Sequence, residues 1–411
     1  MIRQVPKNKL WSIFIITLFN EITITIGFPI LTFLCFDPNS TLFPTNASDS
    51  SRSFWFGLLS SLPHMVAIVT YPILGYASDH WGRKPILILG AASALLLSIL
   101  TTFGIFYGTI SLLLIGSIIA GLCSRTMPIT LAVVGDMSED RYKIVNMGYA
   151  QFFISVGAFI GPLLGGYFAK RFFFENLNFS MPYLIGVFMA LFTLILVIKS
   201  FKESYSTTIA NNTKNDKFVW KRLFNSNVIK ISLILILTQI SWRIYYLFAP
   251  PILQKSFHYS TTSVGLFLGL VAVWLAIASI FIKFFSNLSM IKIVKYFCWA
   301  ELFGLLLFII GSLFPLGKFS EFLIWGSAIP VAMSDVIIFC ALTTLYSQSV
   351  SEHDQGKVMG LCFLITSAVW SLVGFMGGII MPININLPIL STPLWLIIVL
   401  ILLFSKSMRS K

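Results

Sequence analysis

Apolar residues run in blocks of about twenty from residue 10 almost to the C-terminal end, separated by short polar or glycine- and proline-marked breaks. A block of that length crosses roughly 30 Å of hydrocarbon as a helix. Twelve are predicted, over residues 10–33, 54–76, 85–107, 110–133, 145–168, 182–200, 228–249, 261–283, 292–314, 321–345, 357–380 and 388–405. The first is too long for the core of a signal peptide, holds Glu21 in its middle and is followed by no small-residue cleavage pattern, so it reads as a membrane helix. The fold class expected is an all-α integral membrane protein in two six-helix halves. The division falls at 1–200 for the first bundle, 201–227 for a cytoplasmic central loop and 228–411 for the second bundle.

Composition agrees: of 411 residues 57% are hydrophobic and only 10% charged. The net charge of +13 raises the question of nucleic acid, and the placement of the charges answers it. Five of the 28 lysines and arginines (Arg52, Lys170, Arg171, Lys255 and Lys318) fall in one set of loops, two (Arg125 and Arg243) fall inside spans, and the rest lie in or beside the opposite set. Basic loops stay in the cytoplasm, which puts both termini there and makes a lipid bilayer the partner of this charge, not nucleic acid.

A duplicated unit should repeat its features at one offset. A shift of 212 residues lays Gly148 on Gly360, Gly165 on Gly377 and Gly166 on Gly378, in the fifth span of each half. Two such repeats with a site between them is a common secondary-transporter plan.

Between the second and third spans the chain reads GYASDHWGRKP, and here it resembles the major facilitator superfamily, with Gly75, Asp79, Gly82, Arg83 and Lys84 in the matching positions. The resemblance implies a conformational latch in which the aspartate meets a helix N-terminus of the other half and the arginine pairs with an acid ending the fourth span, here Asp136. The corresponding second-half loop, KFFSNLSMIKI, lacks the Asp, the glycine pair and the Arg, so the latch is expected on one side only. In the fifth span GAFIGPLLGG places Gly157, Gly161, Pro162, Gly165 and Gly166 in the pattern of the proton-coupled antiporter branches, which implies export. Small residues at that spacing also let helices approach closely, and a packing motif would look the same. The family's usual arginine early in the fourth span is replaced by Ser117.

Five ionisable residues lie deep inside spans: Glu21, Arg125, Arg243, Glu301 and Asp335. Each costs roughly 2.5–3.5 kcal/mol at the centre of a lipid-facing helix, so they are expected to face inward. In the family fold the first, fourth, seventh and tenth helices line the cavity, and Glu21, Arg125, Arg243 and Asp335 stand one on each. Thr17, Glu21 and Thr25 share a face, as do Gln239, Arg243 and Tyr246. The expected substrate site is therefore Arg125, Arg243, Glu21, Asp335 and Tyr246, with Glu21 and Asp335 as proton carriers. The competing reading is structural ion pairing of the arginines with the two acids. Glu301, on a peripheral helix, is expected to be structural.

An arginine fork suits a carboxylate or phosphate. The function expected is proton-coupled movement of an anionic or zwitterionic organic molecule (a carboxylate metabolite, a siderophore or an acidic drug) across the cytoplasmic membrane by a monomer, export favoured. A multidrug cation–proton antiporter is the alternative, and a non-transporting receptor a weaker one. An enzyme is not expected: His64, His80, His258 and His353 are dispersed, the five cysteines show no metal-ligand spacing, and no phosphate-binding loop occurs. Neither cofactor nor metal is called for.

Overall fold

The computed structural model describes residues 8–37, 40, 42–44, 46–124, 127–138, 140–169, 179–203, 225–285, 288–314, 317–350 and 355–404. The first six predicted spans become α1 (Asn8–Thr25), α2 (Phe28–Phe36), α3 (Asp49–Trp81), α4 (Arg83–Phe106), α5 (Ile110–Ile119), α6 (Met127–Met137), α7 (Asp140–Phe168) and α8 (Met181–Ser200). The last six become α9 (Ser226–Phe257), α10 (Thr261–Phe281), α11 (Met290–Leu313), α12 (Lys318–Gln348), α13 (Gln355–Ile380), α14 (Leu387–Leu390) and α15 (Thr392–Phe404). Among the described residues eleven helical stretches are long and apolar enough to cross a membrane, and Ile110–Leu122 is a shorter apolar one.

Three predicted spans are interrupted, the twelfth only at Ser391 between α14 and α15. The first breaks after Thr25, and the chain restarts at Phe28 with Pro29 in the first turn. Proline supplies no N–H to the preceding turn, and a side chain at Gly27 would run into the ring of Tyr183. The fourth widens into a π turn at Ala120–Ser124 before α6 begins. The carbonyl of Gly121 in that turn accepts from Thr70 Oγ1 at 2.8 Å, and a Cβ on Gly121 would strike Pro63 and Val66 of α3.

The described residues form two compact units: Met1–Ala47, Leu62–Lys217 and Ser260–Gly269 in one, Ser48–Ser61, Phe218–Tyr259 and Leu270–Lys411 in the other. Large apolar side chains such as Phe188, Phe322 and Ile401 stand outermost, while serines and threonines are buried. Bilayer solvent asks for this inversion. The buried hydroxyls stay satisfied by donating one turn back, as Thr17 does to the Ile13 carbonyl and Thr102 to that of Ser98. In the first unit a core of Ile13, Phe14, Ile86, Val133, Ala150 and Val197 joins α1, α4, α6, α7 and α8.

Candidate functional site

In the second unit, α9 places Gln239 and Arg243 one turn apart, and a chain of polar contacts runs from them to α12, α13 and the start of α3. Gln239 Nε2 donates to Asp335 Oδ1 at 2.9 Å, and Trp370 Nε1 donates to Gln239 Oε1 at 3.1 Å. An indole N–H can only donate, so it fixes the amide oxygen toward Trp370 and turns the amide NH2 toward the acid. The Arg243 guanidinium lies 4.8 Å over the Trp370 ring, and its Nη2 donates to the Ser60 carbonyl at 3.2 Å. Gln239, Arg243 and Asp335 are all buried. Tyr246, partly buried on the same helix, stacks with Trp242 at 5.5 Å between ring centroids. Of the residues singled out above, Arg243 and Asp335 thus join one network through Gln239 and Trp370, whereas Tyr246 is held in an aromatic pair.

In the first unit the glycine motif is a seam for α1. A Cβ on Gly157 would lie 2.7 Å from Glu21 Cβ and 2.9 Å from the Leu18 carbonyl, and one on Gly161 would meet Thr25 and the Ile22 carbonyl. Gly165 abuts Ile26, and Gly166 faces Thr261 and Gly265 at the start of α10. Thr25 Oγ1 donates to the carbonyls of Glu21 at 2.7 Å and Gly157 at 3.3 Å. The fifth-span motif therefore sets how closely the Glu21 backbone can sit against α7. Pro162, inside α7, turns its carbonyl toward Gly265 of α10, on the face it shares with Gly166. Arg125 lies outside the described residues, immediately after the π turn.

The expected latch residues occupy the junction of α3 and α4. Gly82 there has φ 97°, a left-handed backbone that glycine tolerates at no steric cost. Arg83 Nε pairs with Asp136 Oδ2 at 3.0 Å, and Arg83 Nη1 donates to Ser78. Lys84 Nζ donates to the Ile198 carbonyl at 2.8 Å. Gly75 has open space where a Cβ would be. Asp79 is helical, and its side chain lies outside the described residues.

Glu203, not anticipated, completes this junction: its two carboxylate oxygens accept from the backbone N–H groups of Arg83 at 2.9 Å and Lys84 at 3.0 Å. A carboxylate over the first N–H groups of a helix satisfies otherwise unpaired donors and complements the macrodipole. The signal available in sequence was an acid directly after the lysines that end the sixth span.

Such a fold, with a buried arginine–tryptophan–glutamine–aspartate chain and an arginine–acid junction between α4 and α6, is that of a membrane transporter built from helices. The chain belongs to the major facilitator superfamily, whose profile matches residues 10–378. It is similar to the class H tetracycline resistance protein of Pasteurella multocida, 25% identical over 375 residues that cover 86% of this chain and 84% of that protein. It is also similar to the quinolone resistance protein NorA of Staphylococcus aureus, 24% identical over 366 residues covering 86% and 88%. Among solved structures, a D-xylose–proton symporter superposes with a TM-score of 0.75 at 13% identity, covering 97% of this chain and 98% of that one. That likeness concerns the fold.

Proposed function

We propose that this transporter is a proton-coupled exporter of organic drugs or drug-like metabolites bearing an anionic or zwitterionic group, acting as a monomer in the cytoplasmic membrane with both termini in the cytoplasm. The observation that carries the reading is Arg243, buried in mid-span, over the Trp370 ring and one turn from the Gln239–Asp335 pair. A guanidinium over an indole is a recognition group suited to a planar anion, and Asp335 supplies a carboxyl joined to that indole by two hydrogen bonds through Gln239. Relatives named for tetracycline and quinolone resistance support drug-like cargo. A quinolone carries a carboxylate and a tetracycline is zwitterionic near neutral pH, so both fit an arginine-bearing site. Glu21, seated against the α7 glycine seam, is the proton carrier, Asp335 the second, and the Arg83–Asp136 junction is the latch that sets the balance of cavity orientations.

The test uses the purified full chain in proteoliposomes with an imposed pH gradient and, in turn, a tetracycline and a quinolone. Accumulation of either drug against its gradient is expected. Arg243→Ala should weaken binding by about tenfold or more, the loss of a charge-assisted contact. Glu21→Gln, a fixed neutral mimic of the protonated acid, should abolish gradient-driven accumulation while exchange of labelled for unlabelled drug persists. Undiminished accumulation by Glu21→Gln moves the coupling role elsewhere, and full-affinity binding of both drugs by Arg243→Ala removes the anion reading.

A further inference from the structure

Glu301 lies near the middle of α11 and is fully buried, with neither carboxyl oxygen hydrogen-bonded. Ser334 Oγ on α12 is buried and without a partner as well. Glu301 and Ser334 lie at one level of one seam, as the packing register shows. The helices α11 and α12 run antiparallel: a Cβ on Gly311 would touch Ser320, Leu323 and Ile324, and one on Gly304 would touch Pro330 and Val331. One helical turn back from Gly304 is Glu301, and one turn on from Val331 are Ser334 and Asp335. The two carboxyls interact electrostatically across the seam.

The surroundings offer Glu301 no counter-charge among the described contacts. On its own helix the neighbouring titratable group is Cys298. From α12 come Asp335 and Ser334. From α9 come Tyr245, whose ring meets Phe308 of α11 and whose hydroxyl is engaged with Ser327, and Arg243, which is directed to Ser60 and Trp370. The segment Thr392–Phe404 of α15, which also packs on α11, carries no titratable side chain.

An ionised carboxylate without a hydrogen bond is among the costliest groups to bury, and a second carboxylate beside it raises the cost. Two like acids in that position hold one proton more readily than none. We propose that Glu301 and Asp335 share a proton across the α11–α12 seam, Glu301 being the buried acid that stores it and Asp335 the member that also touches the polar chain of the second unit, through Gln239. In the transfer the O–H bond of Glu301 breaks, an O–H bond forms on an Asp335 carboxylate oxygen, and the negative charge moves the other way. Ser334 offers a hydroxyl at the same level that can relay the proton, accepting it as it releases its own. Only the use of this proton in transport rests on the coupled-export reading above.

The experiment is infrared difference spectroscopy between two pH values on the purified full chain in lipid bilayers, following the C=O stretch of protonated carboxylic acids in the parent, Glu301→Gln and Asp335→Asn. Glu301→Gln should lose one component of the band, and the component that remains should titrate about one pH unit or more away from its position in the parent, the mark of a coupled pair. Asp335→Asn should displace the Glu301 component reciprocally. An identical carboxylic-acid band in Glu301→Gln and parent overturns the proposal, as do remaining components at their parental positions. If Glu301→Gln does not fold, Asp335→Asn decides alone: the persisting component moves, or the proposal falls. Parent protein that shows this coupled titration but no gradient-driven drug movement would sink the export reading and leave the shared proton standing.

Discussion

Gln239 is the residue on which the buried chain of the second unit depends, because it both donates to Asp335 and accepts from Trp370. Its hydrophobic analogue cannot do either. Gln239→Leu, close in volume, takes a hydrogen bond from the buried Asp335 and one from the part-buried Trp370; a cost of about 1–3 kcal/mol and a clear fall in thermal unfolding temperature are expected. An unchanged unfolding temperature would mean that water replaces the amide. At this scale sequence reading found Arg243 and Asp335, because a charge in an apolar run announces itself. It missed Gln239's part, Trp370 and the orphaned state of Glu301. A glutamine or tryptophan in a membrane helix is unremarkable until a partner on another helix is known, and the exposure of Glu301 depends on α12 and α15, not on its own neighbours in sequence.

Among elements, the α7 seam makes the sharpest forecast. Gly157→Ala brings a methyl against Glu21 and the Leu18 carbonyl, so α1 must shift or strain. About 1–3 kcal/mol of destabilisation is expected, with a loss of gradient-driven transport at the same expression level. Gly360→Ala is the control, since nothing lies within 4 Å of its added carbon. There the better helix propensity of alanine leaves stability unchanged or raises it by up to about 1 kcal/mol. Equal effects at the two positions, read by thermal unfolding in detergent, would remove the seam argument. Twelve spans were legible because a bilayer demands about twenty apolar residues per crossing. The break at Gly27 and the π turn before Arg125 were not, since each depends on a helix packed beside it: Tyr183 in one case, α3 in the other. The glycine pattern itself was visible, but its partner α1 was not.

For the whole molecule, the two units do not coincide with the two stretches of chain on either side of residue 217. Residues Ser48–Ser61, from early in the chain, belong to the unit built mainly from the late part, and Ser260–Gly269, from late in the chain, belong to the other. The sequence repeat could not reveal this, because an offset between glycines records ancestry, not which neighbour a helix end finally packs on. The exchange has a practical corollary for anyone cutting the gene in two. A fragment 1–217 and a fragment 218–411 would each leave the ribosome lacking a strip of its own core and carrying one that belongs to the other. Expressed singly, each is expected to be cleared by membrane proteases; expressed together, they should persist and co-purify, and equal steady-state amounts in both cases would contradict the exchange. Shared custody of two helix ends makes the chain a poor candidate for modular shuffling: a half borrowed from a relative would have to bring matching small residues at Gly57, which abuts Gly374 and Gly378, and at Gly265, or find no place to sit.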